Sequence, residues 1–349
     1  MSCYEQLRRG ARYLDLRVGG KKGSTSIDDT IIVHGMLTGA PFPNIIEQIE
    51  QFLCDNSREF IVVEIIHDRN KHAMSNEQRL RILQLLSSTF GEKVTQEDVN
   101  SWFSLSKVTL GELCEKKRNI LILINDGLYG SFSHEGEQYN QSTIARDFGC
   151  HNHAHFMKNK WHNTSSAHTL LRSNETFLEE GCNDCDKFVN SQFVMTPQPP
   201  GGFVDVVGLL LGIKSLRPVS LARELYQKDI LETYLRDNAE NSWNIILLDF
   251  VDQCPQLVRF LIGLNSPKQL KIKDASVASK DGSTSLDVTE TINQMKKRNN
   301  CVYLLDFKDD LGVSVNEGTL KMTTQFHDEE CVDHVIPFNR DTEYLLCDV

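Results

Sequence analysis

Charged side chains interrupt apolar segments of the chain at three places. Asp15 and Arg17 stand two residues apart in an otherwise apolar stretch, and on a strand this spacing places both side chains on one face. His34 ends a second apolar segment, and Asp249 lies within a third. A histidine titrates near neutral pH and can transfer a proton, while a buried Asp–Arg pair requires partners or a ligand. These residues are therefore candidates for a site.

The same residues also fit a purely structural interpretation. Buried ion pairs can hold a barrel together, and such pairs occur at the positions that active sites use. In an α/β barrel, polar side chains at the carboxyl ends of strands favour a functional site. Spacing alone leaves both interpretations open.

Strand-length apolar segments alternate with helical patterns over most of the chain. Apolar residues on both faces predict strands of a parallel sheet that is buried from two sides; these strands are 13–18, 30–33, 60–66, 119–124 and 244–250, with a weaker candidate at 193–195. Periodicity predicts helices at 44–54, 76–90, 219–236 and 256–264. Ser75 and Gln78 form a capping-box pattern at the start of the second helix. This alternation predicts an α/β fold.

The pattern changes near residue 265. Short strands separated by turn residues are predicted at 270–272, 302–307, 313–315, 320–324 and 344–347. We therefore expect two domains, an α/β domain at 1–265 and a small β-rich domain at 266–349 whose role the sequence does not indicate.

Composition excludes some classes of partner. The net charge of −11 argues against general nucleic-acid binding, which depends on basic residues. The sequence has no apolar segment of transmembrane length. Residues 1–6 lack the features of a signal peptide. A cytoplasmic or peripheral-membrane location fits the chain as it stands, and secretion fits if a leader precedes it.

The block 6–17, followed by His34 and Gly35, resembles the catalytic X domain of phosphatidylinositol-specific phospholipase C. Segments 56–64, 161–164 and 244–252 are similar to later parts of that domain, and the resemblance covers roughly residues 4–263. It implies an irregular TIM-like barrel and cleavage of a phospholipid phosphodiester. The implied partner is a phosphatidylinositol-like headgroup at a membrane surface.

The resemblance also implies roles for individual residues. In the family the inositol 2-hydroxyl attacks phosphorus, and a histidine protonates the departing oxygen. His34 matches this general acid, and Asp249 matches the carboxylate that holds the general-base histidine. Calcium-dependent members have an acidic residue where this chain has Arg17, and arginine cannot ligate calcium. The resemblance therefore implies a metal-independent enzyme without a cofactor, in which Asp15 orients Arg17 or the substrate.

One part of the family pattern is missing from the sequence. The family's general-base histidine belongs to an earlier strand, and no histidine precedes His34 here. We expect the barrel to lack its first strand. Three explanations remain: an N-terminally incomplete chain, a natural inactive short form, or a base supplied elsewhere. Candidates for such a base are His67 and the histidines at 151, 153 and 155.

Other residues have both a functional and an ordinary interpretation. Trp161 fits either a wall of the inositol site or packing of a rim loop. Phe203 fits either contact with a bilayer or packing on the barrel.

Cys182 and Cys185 lack the second pair that a zinc site needs, so a disulfide or two free thiols is expected. The spacing of histidines 151–155 predicts a polar loop rather than a metal site.

The preferred prediction is a metal-independent phospholipase C. Its predicted catalytic residues are Asp15, Arg17, His34 and Asp249, and Arg17 and Trp161 are predicted to bind substrate. The alternative is a catalytically inactive module that holds an inositol phosphate or lipid headgroup through Arg17.

Overall fold

A computed structural model of the chain describes two compact units, residues 1–225 with 240–252 and residues 226–239 with 253–349. The described residues are 1–34, 37–67, 72–94, 105, 107–125, 130–182, 187–196, 225, 230–237, 244–249, 255–263, 270–280, 285–299, 302–304, 318–326, 332–338 and 344–346. Within these ranges, no helix is long and apolar enough to span a membrane.

A mixed six-stranded sheet forms the centre of the first unit. Its strands are β1 (Tyr13–Gly20), β2 (Thr30–His34), β3 (Leu37–Pro41), β4 (Ile61–His67), β5 (Ile120–Ile124) and β8 (Cys150–Asn152); β6 (Phe132–His134) and β7 (Glu137–Tyr139) form a separate hairpin. The strand order is β3-β2-β1-β4-β5-β8. Strands β1, β4, β5 and β8 are parallel, whereas β2 and β3 form an antiparallel hairpin beside β1.

A second, parallel sheet contains β9 (Met157–Asn159), β10 (Phe188–Gln192) and β11 (Ile245–Leu247), with β10 in the middle. The weak strand prediction at 193–195 is wrong, because the strand lies just before it. The fold of this unit is mixed α/β, as expected. The described strands form two sheets rather than a closed ring.

Helices connect these strands. In the first unit they are α1 (Cys3–Arg8), α2 (Phe42–Asp55), α3 (Asn76–Phe90), α4 (Leu110–Glu115), α5 (Gln141–Phe148), α6 (His153–Phe156) and α7 (Ala167–Cys182). The prediction for α3 is confirmed in detail. The Ser75 hydroxyl accepts from the Gln78 backbone N–H, and the Gln78 side chain accepts from the Ser75 N–H.

The central strands bury side chains on both faces, which explains their continuous apolar sequences. On one face, Leu14, Val63 and Ile122 pack in a core that also includes residues of α2 and α3. On the other face, Val62 and Leu123 pack with Met157 and Ile245 in a second core. The alternation of strand side chains places Asp15, Arg17 and Glu64 on this second face.

The second unit contains α8 (Ile230–Asp237), α9 (Pro255–Gly263), β12 (Leu270–Ser279), β13 (Ser285–Asp287), α10 (Thr289–Asn299), β14 (Val302–Leu304), β15 (Gly318–Phe326), β16 (Val332–Phe338) and β17 (Tyr344–Leu346). An antiparallel sheet has the order β13-β12-β15-β16, and β14 pairs with β17. The sequence predicted strands at several of these positions, but it did not predict helix α10. The predicted strand at 313–315 lies outside the described residues.

Candidate active site

Asp15 and Arg17 lie on the same face of β1, as their spacing predicts. Arg17 Nη2 is 3.6 Å from Asp15 Oδ2, which is an ion pair rather than a hydrogen bond. The Asp15 side chain is 15% exposed and that of Arg17 48% exposed. Asp15 Oδ1 is buried and has no hydrogen-bond partner among the described residues. The mostly buried aspartate therefore holds the Arg17 side chain through this ion pair, while the guanidinium remains accessible to solvent.

His34 and Asp249 share the electrostatic environment of this ion pair. His34 is the exposed last residue of β2, and Asp249 follows β11. Protein atoms crowd the Asp249 carboxyl although the residue retains accessible surface, and this loss of hydration raises its pKa. The charges of His34 and Arg17 oppose that rise, whereas Asp15 adds to it. Asp15, Arg17 and His34 thus lie close enough to Asp249 for their charges to influence its pKa.

Glu64 is a candidate site residue that the sequence analysis did not identify. It lies in the middle of β4, directly beside Asp15 in the parallel register, and its side chain is only 2% exposed. A carboxyl group in this position is costly unless it is paired or protonated. The available signal was its place within an apolar strand, the same criterion that identified Asp249.

The pKa of Glu64 is raised to about 7, mainly because burial disfavours the charged carboxylate and, to a smaller extent, because of the neighbouring Asp15 charge. A hydrogen bond from Tyr13 and the charge of Arg17 act in the opposite direction. Glu64 and Asp15 are therefore two adjacent carboxyls with different tendencies to hold a proton. Such pairs commonly occur where a protein transfers protons.

A buried hydrogen-bond network surrounds Glu64. The Tyr13 hydroxyl donates to Glu64 Oε2, and Asn190 Nδ2 donates to the Tyr13 oxygen at 3.3 Å. His153 Nε2 is 3.0 Å from Glu64 Oε1, and Asn159 Nδ2 is 3.2 Å from the same ring nitrogen. Four strands and helix α6 therefore contribute to one polar cluster beneath Arg17.

The other candidate histidines occupy different environments. His67 lies on the opposite face of β4 from Glu64, and its Nε2 accepts from the Met74 backbone N–H at 3.1 Å. His151 is buried edge-on against Phe156, whereas His155 is exposed. Only the middle histidine of the run 151–155 has a described contact with Glu64.

Trp161 is 59% exposed, and its indole N–H donates to Thr196 Oγ1 at 3.0 Å. No contact of Trp161 with the four predicted catalytic residues is found among the described residues, so its role in substrate binding remains a prediction.

Gly35, Phe203 and Cys185 lie outside the described residues. Over the described ranges, no group of three or more His, Cys, Asp or Glu residues could hold a metal ion.

Comparison with known proteins gives this cluster a family context. Residues 1–125 match the family profile described as phosphatidylinositol-specific phospholipase C, X domain. The resemblance is confirmed over these residues. The X domain match thus includes Asp15, Arg17, His34 and Glu64, whereas Asp249 and His153 lie beyond it.

Two relatives share similarity over a longer stretch. PI-PLC X domain-containing protein 2 of Mus musculus is 27% identical over 194 residues, which are 56% of this chain and 49% of the mouse protein. The Homo sapiens protein of the same name is 26% identical over 194 residues, or 56% of this chain and 55% of that protein. The match therefore spans about half the length of these relatives.

Solved structures of bacterial enzymes are also similar to this chain. The phosphatidylinositol-specific phospholipase C of Listeria monocytogenes has a TM-score of 0.49 at 17% identity, covering 76% of this chain and 83% of the bacterial chain. A point mutant of the Staphylococcus aureus enzyme has a TM-score of 0.47 at 10% identity, covering 72% and 76% of the two chains.

The raised pKa of Glu64 leads to a prediction about the stability of the first unit. The folded state binds the Glu64 proton more tightly than the unfolded state, so the wild-type protein should lose stability as pH rises from about 4.5 to about 7. This shift corresponds to at most about 3 kcal/mol. Glutamine has no charge to desolvate, so Glu64→Gln should stabilise the protein at pH 8 by about 1–3 kcal/mol.

The measurement is urea unfolding followed by circular dichroism at pH 5 and pH 8. The stability advantage of Glu64→Gln over wild type should be much smaller at pH 5. At this pH residue 64 is uncharged in both folded proteins, because the Glu64 carboxyl is protonated. Glu137→Gln, at an exposed position of β7, is the matched control and should show no such pH dependence. An equal stability difference at the two pH values would contradict the raised pKa.

Proposed function

We propose that residues 1–265 carry a phosphodiester-cleaving site of the phosphatidylinositol-specific phospholipase C type. We also propose that both sheets of the first unit belong to one irregular barrel, with Asp15, Arg17, His34 and Asp249 at its mouth. The X domain match and the mixed α/β fold support this proposal. The substrate class is a phospholipid with a phosphoinositol-like headgroup.

The observation that carries this proposal is the position of Arg17. Its guanidinium is held by Asp15 at 3.6 Å yet remains 48% exposed, and its charge acts on Asp249 together with that of His34. A fixed cation beside a histidine and carboxylates is suited to an anionic phosphodiester. The planar guanidinium can donate two parallel hydrogen bonds to phosphoryl oxygens.

The reaction follows from these groups. A headgroup hydroxyl attacks phosphorus and forms a new P–O bond, while its proton passes to a general base. Negative charge increases on the phosphoryl oxygens, and Arg17 stabilises it. The bond to the diacylglycerol oxygen breaks, and His34 donates a proton to that oxygen because an alkoxide is a poor leaving group. Asp15 positions Arg17, and the products are a cyclic phosphodiester and an alcohol.

Arg17 takes the place that a metal ion has in calcium-dependent phospholipases. Calcium is held by several oxygen ligands, and an arginine among the site residues repels a cation. We therefore expect cleavage to continue in excess EGTA and to be unchanged by added calcium. Activity that requires calcium would contradict the proposed metal-independent class.

The proposal is tested with the full chain on micellar phosphatidylinositol, with the water-soluble product followed by ³¹P NMR. Appearance of a cyclic inositol phosphate is the expected result. Binding of inositol phosphate without turnover, measured by calorimetry, would instead favour the inactive headgroup-binding module. The absence of both cleavage and binding would overturn both alternatives.

A further inference from the structure

A cavity at the carboxyl end of β1 has no role in the proposed reaction. Its volume is about 480 Å³, and small-molecule sites commonly have volumes of ~300–1,000 Å³. The cavity is formed within the first unit, around the hairpin of β1 and β2. Its walls include Gly20 of β1, Ile31 of β2 and Thr38 of β3, together with Lys21, Lys22 and Asp29 from the connection between β1 and β2.

This cavity lies on the same face of the sheet as Arg17. Val18 packs into the core on the opposite face, so the alternation of side chains places Gly19 on the face of Arg17. Ile31 is directly opposite Gly19 in the antiparallel register, and its side chain therefore shares that face. At ~3.3 Å per residue, Gly20 lies roughly 10 Å beyond Arg17 along β1. The cavity is thus a neighbour of the candidate active site.

Two lysines give the cavity its charge. Lys21 Nζ is 3.7 Å from Asp29 Oδ1, and the Lys21 side chain is 73% exposed. The other carboxylate oxygen of Asp29 accepts from the Ser24 hydroxyl at 2.7 Å. Lys22 is exposed and has no ion-pair partner among the described residues. Two lysines and one aspartate leave an excess of positive charge, which favours an anionic ligand.

The position of the cavity indicates where its anion comes from. In the proposed reaction Arg17 holds the phosphodiester, and the buried polar cluster around Glu64 lies towards the amino end of β1, beside Asp15. The diacylglycerol part of the substrate then extends towards the carboxyl end, where the cavity opens. The cavity is therefore level with the phosphates of neighbouring lipids rather than with the headgroup of the bound substrate.

We propose that this cavity binds the phosphate group of a second, anionic phospholipid that is not the substrate. The ammonium groups of Lys21 and Lys22 pair with the phosphate oxygens, as lysine does in other phosphate sites. Asp29 holds Lys21 in place, and Ile31 provides an apolar wall for the glycerol carbons. The assignment of the phosphate to a lipid rests on the proposed function, whereas the anion site itself rests on the cavity and its charges.

The first test is sedimentation of the full chain with phosphatidylcholine vesicles that contain or lack phosphatidylglycerol, so that no substrate is present. Phosphatidylglycerol should strengthen the binding of wild type. A lysine near an anionic surface improves affinity by roughly fivefold, so the double variant Lys21→Gln, Lys22→Gln should bind these vesicles about 10–30-fold more weakly.

The double variant Lys116→Gln, Lys117→Gln is the matched control. These two lysines are also adjacent and exposed, but they precede β5 and so lie at the amino end of the parallel strands. The control should bind the vesicles as wild type does. Equal losses in the two double variants would overturn the inference, because the lysines would then act only through the overall charge of the protein.

A soluble headgroup distinguishes a cavity from open surface charge. In wild type, sn-glycerol 3-phosphate should shift the amide NMR resonances of Lys21 and Lys22 saturably at constant ionic strength, and this effect should be absent from the control residues Lys116 and Lys117. Shifts that do not saturate would overturn the cavity site. Inorganic phosphate that binds as tightly as glycerol phosphate would identify a site for the free anion and overturn the lipid assignment.

The outcomes separate this inference from the proposed function. Cleavage of micellar phosphatidylinositol tests the function, whereas the vesicle and NMR measurements contain no substrate. If wild type cleaves the substrate but binds vesicles equally with and without phosphatidylglycerol, the second lipid site is overturned and the function stands. If the chain binds phosphatidylglycerol through Lys21 and Lys22 but cleaves no phosphodiester, the proposed function is overturned and the anion site stands.

Discussion

His34→Asn is expected to lower kcat for phosphatidylinositol cleavage by about 10²–10⁴-fold. Asparagine occupies a similar volume but cannot protonate the diacylglycerol oxygen. His34 is exposed at the end of β2, so its replacement should change the free energy of unfolding by less than about 0.5 kcal/mol. Turnover and urea unfolding of the same preparations test both expectations. His168→Asn, at an exposed position on α7, is the control.

The leaving group distinguishes a general acid from a residue that only binds substrate. A phosphodiester with a p-nitrophenolate leaving group needs little protonation as its P–O bond breaks. If His34 is the acid, His34→Asn should lose much less activity on this substrate than on phosphatidylinositol. Equal losses on both substrates would indicate that His34 binds or positions the phosphodiester rather than protonating it.

The elements predicted most accurately are those whose local sequence determines their structure. Helix α3 has both members of its capping box and an apolar stripe, and it was predicted at its observed bounds. Strands β4 and β5 are apolar on both faces and were placed within one or two residues. In each case the signal is a short-range pattern that does not depend on the remaining fold.

The errors arose where buried polar residues or weak amphipathicity changed that pattern. Strand β10 contains the polar residues Asn190, Ser191 and Gln192, so the apolar residues just after it attracted the strand prediction instead. Helix α10 has few apolar residues among its charged and amide side chains, and its helical period was not recognised. Polar residues at buried positions therefore prevented the recognition of β10 from the sequence. One of them, Asn190, belongs to the polar cluster around Glu64.

From the sequence, the candidate site could be predicted only where its residues lie on the same strand. The alternation of side chains placed Asp15 and Arg17 together, but it could not show that Glu64 lies beside Asp15, because register between strands is not readable from one strand. The contact of His153 with Glu64 joins residues almost ninety positions apart. Proximity of this kind requires the sheet to be assembled.

Arg17→Lys should lower kcat by about 10²–10³-fold, with a much smaller change in KM. Lysine keeps the positive charge but cannot reproduce the planar pair of hydrogen bonds to phosphoryl oxygens. The 3.6 Å ion pair with Asp15 is partly exposed, so its loss should cost no more than about 1 kcal/mol of stability. Steady-state kinetics and urea unfolding measure these effects separately.

Arg146→Lys is the matched control, because Arg146 also pairs with a neighbouring aspartate, Asp147, but on the exposed surface of α5. Its turnover should equal that of wild type. A rise in KM without a fall in kcat for Arg17→Lys would show that Arg17 binds ground state and transition state equally. It would then serve as a headgroup anchor, as in the inactive binding module. A fall in kcat that persists at saturating substrate requires an interaction made in the transition state, which only an enzyme needs.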